Sequence, residues 1–583
     1  MSAIPSKFLA WGICAALAFS ATAAHAADDV LKLVPDEALG VVVVHRMSET
    51  NDKLRALALQ LKVPPFDLLA TAKLSLGVGQ GLDEQGSVAL AAVPGSPNGA
   101  PVMVAFVAAS DPEALAEQLN AEIGDDGVAR LSLANRPVVA AAKDGYVVIT
   151  EEANKPTLLA VLASDKNVAD AAPALATWSA AQDALALTTP AGVKFAQQQI
   201  QFGLQMAKAQ LEQQGEQGKT ALAGLGMYDG LIAAMDKEIQ HAAIGLRVAD
   251  DGAVHVASRT VPVAGGALAG LAAQAKPIRN NPLAGLPQSP YFIAGGGVFT
   301  PASMKPWMDA SFGMMRAYPG WDKLSEQDLK KLSKISLQSM RGVRSMALML
   351  GVGQADEPLY SRMLSVLKTK DANTYLENYE ATVGEMAKIL EQTGQPLWAF
   401  ESKRIEIDGL PVLQLSMDMT SFIAAGQSGP EVEKMMELMF GAGGKMNSYF
   451  AAADQTTIVA AYVSPDQLVA AVRALRSGDP RLADEATVAQ TLAMLPPGAQ
   501  WVGLVRPRGG VEFVSRMMKA VQPAGAPGVV PEIPEFPETP PVGFGALLSP
   551  SGLDTDLVIP AAVLEAVSEV VRQAIAERSK PQA

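Results

Sequence analysis

The chain has 583 residues, enough for about two to four domains, and its 49% hydrophobic content is ample for sizeable cores, which excludes global disorder. A formal charge of −14 with no offsetting Lys/Arg cluster repels phosphate backbones and argues against nucleic-acid binding. The single cysteine rules out a disulfide framework.

Residues 1–26 read as a secretory signal peptide. Lys7 supplies the positive region, Phe8 to Ala21 the apolar stretch, and Ala24-His25-Ala26 the cleavage site, so that Ala27 begins the mature chain. The apolar run falls short of the ~20 residues that a membrane anchor needs. Cys14 lies inside this run, and the preceding Trp11-Gly12-Ile13 does not resemble a lipoprotein processing site. The mature chain is therefore expected to lack disulfides, thiolate metal ligands and cysteine nucleophiles. No later segment offers ~20 uninterrupted apolar residues, so an exported protein, periplasmic or secreted and without a transmembrane anchor, is expected.

Leu39 to Val44 is a valine-rich run that suits a strand buried on both faces. A helix is expected over Lys53 to Leu61, and a hairpin from Ser87–Val93 and Val102–Ala108. At Ser110-Asp111-Pro112-Glu113 a cap residue, an early proline and an acid begin a helix that should run to about Ile123. Strands follow near 128–133, 136–142 and 145–150.

From Asp144 the chain states a pattern that it repeats from Asp454. Asp144–Phe195 and Asp454–Phe513 both run apolar segment, proline, helical stretch, apolar segment, proline, then Gly-Val-x-Phe. A hairpin and a closing helix follow each copy, at His241–Lys276 and at Pro541–Ser579. An opening strand precedes each, at Leu33 and at Leu286. Repeats one domain long predict a tandem pair. The expected organisation is a signal peptide (1–26), a first domain (27–276), a linker (277–287) rich in Pro and Gly, and a second domain (288–583). Prolines opening helices at Pro112, Pro156, Pro190, Pro301, Pro465 and Pro507, mixed with close hairpins, point to α+β domains, each a largely antiparallel sheet covered by helices.

The halves differ in two inserts. Ala191 to Ile239 should be a long helix or a helical hairpin breaking near 215–218. Val521 to Pro541 is proline-rich, with Pro531, Pro534, Pro537 and Pro540 on one edge of a polyproline II spiral. Glu532, Glu535 and Glu538 share the second edge, and Ile533, Phe536 and Thr539 the third. This strap either packs on its own domain through Ile533 and Phe536 or offers them to a partner.

Few residues suggest chemistry. Gly77-Val78-Gly79-Gln80-Gly81 leads into a strand, not a helix, and reads as a turn. Walker, G-x-S-x-G and H-E-x-x-H motifs are missing from the sequence, and neither a cofactor nor a metal is expected. A two-residue turn at Asp251-Gly252 would pair His255 with Val248 and leave His241 about 23 Å away, too far to share a metal. His45 ends the opening strand, where α/β folds often carry chemistry, and is the catalytic candidate. The matching position is near Thr300, so no symmetric site follows. Met435, Met436 and Met439 lie on one helical stretch and suit core packing, an adaptable binding groove or a Cu(I) site.

The Leu-x-Pro opening strand LVPDEALGVVVV and the repeated strand–proline–helix units resemble exported bacterial proteins of unknown function with Leu-Pro-x-(Asp/Glu) strands and large α+β repeats. Here Val34 separates Leu33 from Pro35. The resemblance implies an envelope location and carries over no catalytic residue. The expected function is non-enzymatic binding of an envelope protein or an apolar ligand. The alternatives are a cysteine-free hydrolase using Asp/Glu in an interdomain cleft and a structural envelope component.

Overall fold

The computed structural model describes residues 30–65, 67–76, 78–95, 99–133, 136–213, 225, 232, 235–276, 278, 281–298, 324–354, 356–391, 400–418, 430–441, 445–521 and 535–578. The signal peptide with Cys14, Thr300 and Ile533 therefore lie outside the described residues, as does the side chain of Met435.

The strands fall into two runs. The first comprises β1 (Gly40–Val44), β2 (Val88–Val93), β3 (Val102–Ala108), β4 (Glu122–Ile123), β5 (Ala129–Leu133), β6 (Arg136–Lys143), β7 (Tyr146–Glu151), β8 (Ala184–Thr188), β9 (Ile239–Val248) and β10 (Val254–Pro262). The second comprises β11 (Tyr291–Val298), β12 (Ser345–Gly351), β13 (Met363–Lys368), β14 (Phe400–Ile407), β15 (Leu410–Asp418), β16 (Lys445–Ala452), β17 (Thr457–Tyr462), β18 (Trp501–Val505), β19 (Val542–Ser549) and β20 (Gly552–Ile559).

Pairing in the first run follows the order β4-β5-β6-β7-β3-β2-β1-β8-β9-β10, antiparallel throughout. In the second it follows β14-β15-β16-β17-β13-β12-β11-β18-β19-β20, antiparallel in every ladder whose register is defined. Strand for strand, the second order repeats the first. The fold is α+β, built on antiparallel sheet with helices between the strands.

Two compact units emerge, one of residues 1–206, 231–273 and 549–556, the other of 207–230, 274–548 and 557–583. In the first unit, Val41, Val43, Ala89, Ala91, Val104 and Val148 of the sheet pack against Leu158, Val161, Val168 and Leu175 of the helices at 155–179. In the second, Ala294, Ala347, Met349, Val459 and Leu504 pack against Leu468, Val472 and Val488 of helices Pro465–Ser477 and Ala486–Met494. The strand–proline–helix device places a glycine at the same point in each run. A Cβ on Gly192 would lie 1.6 Å from the Leu39 carbonyl oxygen, and one on Gly509 would lie 2.4 Å from that of Tyr291. Helices Pro190–Glu212 and Pro507–Val521 thus begin with backbone against the first strand of their run.

Four expectations change. Val42 is 40% exposed, so β1 is covered on one face and open at Val42 on the other, where Val44 is buried. The helix at Pro112 ends at Gln118, because the short strand β4 pairs with β5 where a further turn was expected. The β9–β10 connection runs through residues 249–253, closed by the Ala249–Ala253 backbone bond, and this loop moves the register by one. His255 therefore faces Arg247, and His241 faces Val261. Finally, residues 549–556 group with the first unit instead of the second half of the chain.

Candidate functional site

His45 follows the last residue of β1 and is fully buried. Its Nδ1 lies 3.2 Å from Ser87 Oγ and its Nε2 2.9 Å from Ser179 Oγ, so a neutral ring donates to one hydroxyl and accepts from the other. Burial, and then the Arg46 charge, pull its pKa from 6.5 down to about 4. With both nitrogens engaged and no solvent access, this ring ties β1 to Ser87 beside β2 and to the end of helix Pro173–Ser179.

Arg46 takes a left-handed backbone, φ 43°, and turns the chain into helix Met47–Gln60. Asp183, 2% exposed, sits beneath it. One Asp183 oxygen accepts from Lys53 Nζ at 2.9 Å and from Arg46 at 3.4 Å; the other accepts from the Val248 backbone N–H at 2.7 Å. Glu49 closes the network, 2.8 Å from Lys53 and 3.1 Å from Arg46. Burial opposes each charge, yet Lys53 is held above its ordinary pKa by Glu49 and Asp183, and Glu49 below its own by Lys53 and Arg46. Two cations and two carboxylates balance here. A buried charge without such partners would cost several kcal/mol. Sequence reasoning passed over Asp183. The repeat held the signal, since Ala-Gln-Asp at 181–183 stands where the second copy has Ala-Gln-Trp at 499–501.

Over this network lies a groove of about 520 Å³ between helix Met47–Gln60 and the β9–β10 turn, lined by Glu49, Asp52, Lys53, Leu57, Val248 and Asp250 among others. Wherever a described carboxyl group has a displaced pKa, the displacement is downward. The Arg362 guanidinium pulls Glu357 to about 2, Lys155 lowers Asp126, and the Thr374 N–H lowers Asp371. Asp454 is lowered by the Thr456 N–H against its partial burial. These are ion-pair and turn carboxylates, unlike the raised carboxylic acid that general-acid catalysis needs.

The second feature is open sheet. Among the described residues, each strand run has one face covered by helices and the other covered only in part. In the first unit, Leu115 of helix Pro112–Gln118 covers Ala140 of β6 and Val147 of β7. Beyond them Val42 of β1 and Ile244 and Leu246 of β9 stand 40%, 53% and 38% exposed. Val42 is opposite Ala186 of β8, which is opposite Ile244. In the second unit, Tyr375, Leu376 and Val383 of helix Ala372–Leu390 cover β13, β15, β16 and β17. Beyond them Ile293 of β11, Val505 of β18 and Phe544 of β19 are exposed. Gly295, Gly503 and Phe544 form the corresponding row.

The strap and the methionines turn inward. Phe536 is 6% exposed, Thr539 is also buried, and Arg508 reaches Glu535 at 2.8 Å and Glu538 at 3.4 Å. Over the described residues 535–540 the period of three therefore holds, with one edge buried and another ion-paired. Met436 is buried and Met439 half-buried on helix Pro430–Phe440. His255 Nδ1 lies 2.9 Å from Asp556 and 3.1 Å from Arg247, while His241 is buried with its pKa lowered by burial. No cluster of metal-ligating side chains, and no helix long and apolar enough to cross a membrane, occurs among the described residues. Comparison with protein-family models, with curated proteins and with solved structures returns no match.

Proposed function

We propose that the chain is an exported envelope protein, built by tandem duplication, that binds an apolar partner or ligand and performs no catalysis. One observation carries the binding reading: an uncharged apolar strip of sheet stands open at the same place in both strand runs. Contiguous exposed apolar surface marks interaction sites more often than chance. The matching strand order and the paired glycines Gly192 and Gly509 support duplication. The Ala24-His25-Ala26 site and the resemblance to exported bacterial proteins support the location.

The test is capture of the mature protein, beginning at Ala27, from its native envelope, with identification of bound lipid and protein. Binding lost in Ile244→Asp or Phe544→Asp, each at an exposed position, is the expected result. Capture of nothing, or capture indifferent to both changes, overturns it.

A further inference from the structure

The open strip of the second unit has a floor. Gly295 of β11 and Gly503 of β18 are opposite one another, with Leu348 of β12 beyond the first and Phe544 of β19 beyond the second. One row along, Ile293 is opposite Val505; one row back, Gly297 is opposite Trp501, whose indole lies over that glycine, 2.5 Å from where a Cβ would be. Two side-chain-free positions are thus ringed by Ile293, Val505, Trp501, Phe544 and Leu348. The result is a shallow dish in the sheet surface. At Gly295 a Cβ would crowd the Val502 carbonyl oxygen at 3.1 Å, but at Gly503 nothing forces a glycine: a Cβ there would meet only Phe544, at an ordinary 3.7 Å. Strand interiors disfavour glycine, and where it occurs something often approaches the backbone closely.

We propose that this dish holds the acyl chain of a single-chain lipid. The inference rests on the binding reading above and names its ligand class. Two arguments select the occupant. None of the five ring residues carries a charge, so nothing recognises a charged or strongly polar group. The ring by itself is also too small for a protein partner or a second copy. Four strands, three spacings of ~4.8 Å, and five residues at ~3.3 Å rise give a surface on the order of 240 Å². A stable protein interface needs about 800 Å² from each side. A lipid tail needs only contact along its length and an exit for its headgroup, and an open-sided dish supplies both.

The experiment uses the delipidated mature chain, titrated with a fluorescent long-chain fatty acid and, separately, with a brominated one that quenches tryptophan on contact. Saturable binding is expected, with quenching that Trp501→Phe removes. Gly503→Leu fills the floor and should weaken binding by about tenfold or more while the melting temperature holds. Gly503→Ala, a smaller plug, gives an intermediate loss and serves if the larger side chain disturbs folding. Absence of saturable binding, or a Gly503→Ala chain that binds as tightly as the parent, overturns the assignment. A protein captured from the envelope in a Phe544-dependent manner, with no fatty acid bound, overturns the acyl chain and keeps the broader reading. Failure of both removes both.

Discussion

At residue 45 the histidine sits where it cannot carry protons. Its folded pKa, about 4, lies below the ordinary 6.5, so between those values the unfolded chain binds more protons than the folded one. The stabilisation is complete above pH 6.5 and is lost as pH falls towards 4. The span corresponds to on the order of 3 kcal/mol. His45→Gln, which keeps a hydrogen-bonding side chain, should show a shallower fall in melting temperature across that window than the parent chain. Equal slopes would remove His45 from the acid response. The position of His45 at a strand end was legible in the sequence. Its serine partners, 42 and 134 residues away, were not, because adjacency across β2 and across a helix end is set by strand order. Asp183 escaped for the same reason: its partners arrive from helix Met47–Gln60 and from β9.

Among elements, the strap shows how far periodicity reaches. Three residues per turn put Phe536 and Thr539 on one edge and Glu535 and Glu538 on another, and the fold uses the edges differently. Phe536→Ala should cost about 3 kcal/mol, because a buried aromatic leaves both lost contact and a cavity. Glu538→Ala should fall within about 0.5 kcal/mol, since that carboxylate is 63% exposed and surface pairs contribute little. Chemical denaturation of the two variants compares them directly, and an unchanged Phe536→Ala would free the strap from its structural role. The β2–β3 hairpin was equally legible, because two apolar runs flank the Pro- and Gly-rich turn sequence at 94–101. Where alternation meets a short pairing the reading failed: β4 is two residues long and could not outvote a helical pattern. Val42 was misread because a run of valines gives no sign of which face a helix will cover.

Across the whole molecule, the repeated apolar runs and prolines correspond to β1 and β7–β10 in the first run and to β11 and β17–β20 in the second, five strands of the ten in each. The grouping of residues 549–556 with the first unit was not legible in the sequence. It follows the pairing of β20 with β10, and side chains reinforce it: Arg259 binds Asp554 through two bonds of 2.6 and 2.7 Å, Ser258 meets Thr555 at 2.7 Å, and His255 meets Asp556. Nothing near Arg259 in the chain announces a carboxylate 295 residues later. Asp554→Ala leaves a largely covered guanidinium without its carboxylate, with only the Ala174 carbonyl to accept from it, and should destabilise the first unit by about 3 kcal/mol. Hydrogen exchange of the β10 amides should accelerate in that variant while β13 and β17 exchange as before. Protection of β10 unchanged from the parent would refute the dependence.

That same clasp sets an order of events. A chain made from its N-terminus has completed residues 30–273 long before Asp554 exists, and the loop it must close, 295 residues, is about half the chain. Closing it costs little more entropy than closing a loop of half the length, but the search is slow. Until the final strand is synthesised, Arg259 and His255 wait without their carboxylates. The first unit, though most of it is made first, therefore waits for the end of the chain, and the nascent polypeptide stays short of its full stability for as long as its tail is missing.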